Sequence, residues 1–143
     1  MYEAAEFIGI IAFALSGFST AVKNNLDLLG VLIAVFLTAL GGGILRDVIV
    51  STTPYTFSHT APALVVFIVL LLLILFKVHR RDSIENKPYF IVSDSIGLVA
   101  FSITGAMVAL EHNFNYAGVM TVSFTAAVGG GILRDVIINE IPF

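Results

Sequence analysis

The sequence predicts an all-α membrane protein, a polytopic helix bundle built of inverted three-helix repeats. Three observations predict it. The 143 residues are 58% hydrophobic and only 12% charged, with a mean hydropathy of +1.01, whereas soluble domains carry roughly 25% charged residues. Five apolar stretches are each long enough for a hydrocarbon core that needs about 17–25 helical residues. The nonapeptide GGGILRDVI occurs at 41–49 and again, letter for letter, at 129–137. A 15.3 kDa globule has no room to hide this much apolar residue, so lipid must be the solvent. With no cysteine in the chain, disulfide frameworks and thiolate metal sites are excluded. The net charge of −3 says less than where the charges fall.

The first span is Glu6–Val22. It lacks the basic leader of a signal peptide, with Glu3 and Glu6 in that place, and is read as a retained helix. The second, Leu28–Val50, carries the first glycine triplet. The third, Thr60–Phe76, contains APALVVFIVLLLLILF and is apolar on every side, as a lipid-facing helix should be. The fourth is Ser93–Leu110, and the fifth, Tyr116–Ile138, carries the second triplet. KNNLD at 23–27 and EHNFN at 111–115 read as tight turns, and KVHRRDSIENKP at 77–88 as the connection between two halves. The expected organisation is a first three-helix repeat at 1–76, a cytoplasmic linker at 77–92, and a second repeat at 93–143 truncated after its second helix. Lys23, Lys77, Arg80, Arg81 and Lys87 all fall on one side of the membrane and no flanking Lys or Arg falls on the other. The positive-inside bias then makes the linker cytoplasmic and the N-terminus external, in a cell membrane.

The duplication exceeds the nonapeptide. A shift of 88 residues aligns Glu6–Pro54 with Asp94–Pro142 without a gap, placing Gly9 on Gly97, Phe13 on Phe101, Gly17 on Gly105 and Phe36 on Phe124. Such self-similarity marks an internal repeat. The chain crosses the membrane three times between equivalent points. An odd number forces the halves to run in opposite directions, about a pseudo-two-fold axis in the membrane plane.

Inverted repeats give the charges company. Arg46, Asp47, Arg134 and Asp135 sit at membrane depth, where each charge costs about 2.5–3.5 kcal/mol on insertion scales unless it faces a partner or a wet cavity. Neighbouring helical residues point in different directions. The expected pairing is therefore crossed, Arg46 with Asp135 and Arg134 with Asp47. The triplets Gly41, Gly42, Gly43 and Gly129, Gly130, Gly131 admit two readings. Each Gly costs about 1 kcal/mol relative to Ala in a helix interior. One reading is close helix packing, assigned also to Gly9, Gly17, Gly97 and Gly105. The other is a helix break whose bared carbonyls and amides line a cavity. Consecutive glycines favour the break, with Pro54 and Pro142 as helix terminators.

Glu6 and Asp94 read as carboxylates near water, favoured by a helix N-terminus. Ser16 and Thr104 read as bonded to their own backbone. His59, His79 and His112 lie in separate loops without metal-ligand spacing. No nucleophile–base set, Walker loop or dinucleotide fingerprint occurs. Neither an enzyme, a cofactor, a resident metal nor a nucleic-acid partner is expected.

Two copies of GGG-x-x-R-D at the ends of the second and fifth spans, in a duplicated three-helix unit, resemble the prokaryotic trimeric intracellular cation (TRIC) channels, also grouped as glycine transporter domain proteins. The resemblance covers nearly the whole chain. It implies a homotrimer in membrane lipid, each protomer with its own pore where the second and fifth helices kink at the glycines. It implies potassium as cargo, with sodium poorer, and places Arg46, Asp47, Arg134 and Asp135 beside the path. Family members have seven spans, three plus three plus one. Five are present here, so a truncated or degraded form is expected. The residues alone leave the cargo open. A channel wants weak sites in series along a wet path. A secondary transporter of a small amino acid such as glycine would use the same broken helices with alternating access. A subunit that only supports assembly would do neither. The resemblance favours the channel.

Overall fold

The computed structural model describes residues 2–76 and 87–139. Six helices follow one another there: α1 Glu3–Lys23, α2 Leu28–Ile49, α3 Tyr55–Ser58, α4 Ala61–Leu75, α5 Lys87–Glu111 and α6 Tyr116–Ile138. α1, α2, α5 and α6 are long and apolar enough to cross a membrane. α4, the expected third span at 60–76, has 15 residues; at 1.5 Å per residue this is about 22 Å, short of a core about 30 Å thick. The fourth span starts at Lys87 rather than Ser93. Pro88, at a first-turn position where its missing N–H costs nothing, lets the helix begin inside the polar segment. Residues 87–92 of the expected linker are thus helical. The remainder, 77–86, with Lys77, His79, Arg80 and Arg81, lies outside the described residues, as does Pro142.

The turns repeat with the sequence. Asn25 and Asn113, 88 residues apart, both take left-handed backbone, at φ 55° and 58°. The next helices are capped alike: an Asp27 side-chain oxygen accepts from the Gly30 amide at 2.8 Å, and that of Asn115 from the Gly118 amide at 2.8 Å. Each cap satisfies an amide left without an intrahelical partner. Asp27→Ala and Asn115→Ala are each expected to lose about 1 kcal/mol of stability, measurable by unfolding in mixed micelles.

α1 packs against α5 and α2 against α6, while α4 lies across α1 and α2. At the centre Phe13 stacks on Phe101, with ring centroids 5.2 Å apart and planes 15° from parallel. Residues related by a two-fold axis touch only near it, so this stack marks the axis. The direction is set by α2 and α6. A Cβ on Gly130 would overlap the Thr38 carbonyl, and one on Gly42 the Ala126 carbonyl. Stepping four residues up α2 steps the partner four residues down α6. The halves are inverted.

The break at the glycines does not occur. α2 runs from Leu28 to Ile49 and α6 from Tyr116 to Ile138 straight through both triplets. An amide or carbonyl freed in an apolar medium costs several kcal/mol, and Gly41, Gly42, Gly129 and Gly130 face packed protein rather than a cavity that could satisfy it. Close contact offsets the glycines' poor propensity. Gly9, Gly17, Gly97 and Gly105 pack as expected, Gly9 beneath Phe101 and Gly97 beneath Phe13.

Candidate functional site

Arg46 lies four residues beyond Gly42, about 6 Å along the helix, and Arg134 as far from Gly130 in the opposite sense. The site is therefore two charged cages on either side of the glycine crossing, not one cluster at the midplane. Both arginines are 2% exposed.

In the first cage Arg46 Nη1 and Nη2 donate to the Glu6 carboxylate at 2.5 and 3.3 Å. Its Nε donates to Asp47 Oδ1 at 2.7 Å, and its Nη1 also to Thr104 Oγ1 at 3.1 Å. The other Asp47 oxygen accepts from the Tyr55 amide at 2.8 Å, tying the start of α3 to the cage. In the second cage Arg134 Nε donates to Asp135 Oδ1 at 2.7 Å, and Nη1 to Ser16 Oγ at 2.8 Å and Asp94 Oδ1 at 3.4 Å. The Phe90 ring covers its guanidinium at 5.2 Å, a cation–π contact. Three roles recur under the shift of 88: Nε to the adjacent aspartate, Nη1 to the carboxylate on α1 or α5, and Nη1 to a hydroxyl from the other half.

Three expectations are corrected. The crossed pairs Arg46–Asp135 and Arg134–Asp47 do not form, because each long arginine turns its Nε back onto the aspartate beside it and sends its far nitrogens to α1 or α5. Glu6 is 6% exposed and ion-paired, not a solvated helix-end carboxylate; Asp94 likewise meets Arg134. Pro54 does not terminate α2, which ends at Ile49; it precedes α3. The turns after α2 and α6 are made instead by the equivalent pair Ser51 and Asn139, both at φ 62°. Thr104 does bond its own backbone at Phe101 O, yet also accepts from Arg46. Ser16 donates to Asp94 at 3.0 Å. The signal for these four partners was present: polar residues at equivalent positions of an apolar repeat.

Outside the first cage lies a cleft of about 410 Å³, lined by Tyr2, Glu3, Glu6, Asp47 and Glu111 among others. Tyr2 donates from its hydroxyl to Glu111 Oε2 at 3.4 Å. Burial first, and the Glu111 carboxylate second, push the Tyr2 phenol above its ordinary pKa range. His59 and His112 also line the cleft, and no group of three metal-ligating side chains occurs among the described residues.

Comparison with known proteins follows the same lines. A family model described as Glycine transporter matches residues 3–78 and 91–143. An UPF0126 membrane protein of Deinococcus radiodurans is 36% identical over 137 residues, 96% of this chain; the chain spans 63% of that relative's length. Among solved structures, a TRIC cation channel shares 37% identity at a TM-score of 0.83, over 100% of this chain and 70% of its own. The trimeric intracellular cation channel orthologue from Rhodobacter sphaeroides shares 27% identity at a TM-score of 0.88, over 99% and 72%.

Proposed function

Because this chain belongs to the Glycine transporter family and has the fold of the solved TRIC channels, we propose that it forms a monovalent cation channel, with potassium as cargo. It is a multi-pass membrane protein. In the proposed arrangement it sits in the cell membrane as a homotrimer, N-terminus and cleft outside, the 77–88 segment cytoplasmic, one pore to each protomer. The likeness in sequence and fold to solved cation channels carries the reading.

The chemistry of the cages agrees with it. Each holds two carboxylates to one guanidinium, a formal excess of one negative charge. In a low-dielectric surround that excess attracts a cation and repels an anion. The proposed path runs from the cleft past Glu6, Arg46 and Asp47, through the crossing at Gly41, Gly42, Gly43 and Gly129, Gly130, Gly131, and past Arg134 and Asp135. On this reading the close packing at the crossing corresponds to a shut conformation, and conduction requires α2 and α6 to part. Sites in series on either side of a constriction suit conduction.

A glycine carrier is the second reading, favoured by the family's description, since a carboxylate-rich cage also suits an ammonium group. Planar-bilayer recording separates the two. The channel reading expects unitary currents whose reversal potential follows the potassium gradient. Saturable glycine uptake into liposomes with no unitary current would replace it with the carrier.

A further inference from the structure

The cages divide one to each half. Arg46 is paired with Glu6 and Asp47, all carried on α1 and α2. Arg134 is paired with Asp94 and Asp135, all carried on α5 and α6. No ion pair joins the halves among the described residues. Among the described residues, three side-chain hydrogen bonds beneath the surface cross between the halves: Thr104 with Arg46, Ser16 with Arg134, and Ser16 with Asp94. All use one of two hydroxyls, and both residues are fully buried. The Tyr2–Glu111 contact also crosses, but at the surface and at 3.4 Å.

We infer that each half moves as a unit carrying its own arginine cage, and that the Ser16 and Thr104 hydroxyls are the latches between the halves. The physical reason is the difference between what the two kinds of motion break. Separating an arginine from its carboxylates strands a charge at membrane depth. Sliding one half on the other leaves those pairs intact and breaks the hydroxyl contacts and the surface Tyr2–Glu111 bond, together with apolar contacts at the Phe13–Phe101 stack and the glycine crossing. The latch also sees the charge. Ser16 sits between Arg134 and Asp94, which already lie 3.4 Å apart, so its removal lets them close on each other and the cage survives. These are positioning residues: they hold the halves in register and touch no permeating ion.

The consequence for conduction rests on the channel reading, whereas the geometry does not, and two measurements keep them apart. The chain has no cysteine, so spin labels can be placed at will. One pair at Ser51→Cys and Asn113→Cys reports across the halves, and one at Asn25→Cys and Ser51→Cys reports within the first. In Ser16→Ala with Thr104→Val, the cross-half distance distribution is expected to broaden by at least half its wild-type width while the within-half one stays the same. Ser16→Thr alone, which keeps both hydroxyls, is expected to retain the narrow distribution. An unchanged cross-half distribution, or equal broadening within the half, overturns the inference. In potassium recordings the double variant is expected to raise open probability about tenfold or more. Unchanged open probability overturns the latch role. Absence of current from the wild-type protein rejects the channel reading instead, and the distances still decide whether the halves move as units.

Discussion

Glu6→Ala is expected to destabilise the folded protein by about 3–5 kcal/mol, the range for removing one partner of a buried ion pair. Arg46 is 2% exposed and donates two of its four side-chain hydrogen bonds to Glu6. Alanine cannot replace them, and the guanidinium keeps its charge at any accessible pH. Asp47 remains, which places the loss toward the lower figure. Asp94→Ala is the internal comparison. Its carboxylate meets Arg134 once, at 3.4 Å, and its side chain is 20% exposed against 7% for Glu6. Water reaches it better and Ser16 stays behind to accept from Arg134, so the loss there is expected to be about half as large. Equilibrium unfolding in mixed micelles reads both. A double-mutant cycle between Glu6 and Arg46 is expected to give a coupling above about 2 kcal/mol, and one between Arg46 and Asp135 none beyond the few tenths usual for independent sites. Near-zero coupling in the first cycle would remove the cage from the account.

What the sequence made legible was symmetry, and what it hid was the choice of partners. A shift of 88 residues is visible in letters alone, and an odd number of crossings turns it into an inverted bundle with no further information. The same shift even places the Asn25 and Asn113 turns. Helix breaks were misjudged because propensity speaks only of the isolated helix. It takes the facing Thr38 and Ala126 carbonyls to show that Gly42 and Gly130 serve approach between helices. The arginine partners were misjudged through a Cα-level argument. Adjacent residues diverge at the backbone, but an arginine side chain is long enough to turn its Nε back. Glu6, Asp94, Ser16 and Thr104 were each given a local explanation, when their equivalence across the repeat pointed to one shared role. The start of α5 was missed because a polar run reads as a loop, although the first turn of a helix tolerates both proline and charge.

Within one glycine triplet, alanine is expected to act in opposite directions according to position. Gly42→Ala and Gly130→Ala each place a methyl into the carbonyl oxygen of the facing helix, on Ala126 and Thr38 respectively. A helix backbone cannot turn aside as a side-chain tip can, so α2 and α6 must separate along the contact. Overpacking of this kind costs about 1–3 kcal/mol, set against about 1 kcal/mol that alanine gains in helix propensity. The net is destabilising, and in lipid no hydrophobic drive between helices exists to recover it. The double variant is expected to lose less than the sum of the two, because the second methyl enters a gap the first has opened. Gly131→Ala is the opposite case. The nearest atom to its new Cβ is Arg134 Nη2 at 3.9 Å, ordinary contact, so propensity acts alone and the protein is expected to gain up to about 1 kcal/mol. Gly43 falls between, with Glu6 Oε1 at 3.1 Å from the methyl. If Gly131→Ala destabilised as much as Gly42→Ala in the same micelle unfolding assay, the glycines would be acting on the course of each helix rather than on the contact between them. The closed crossing would then lose its physical basis.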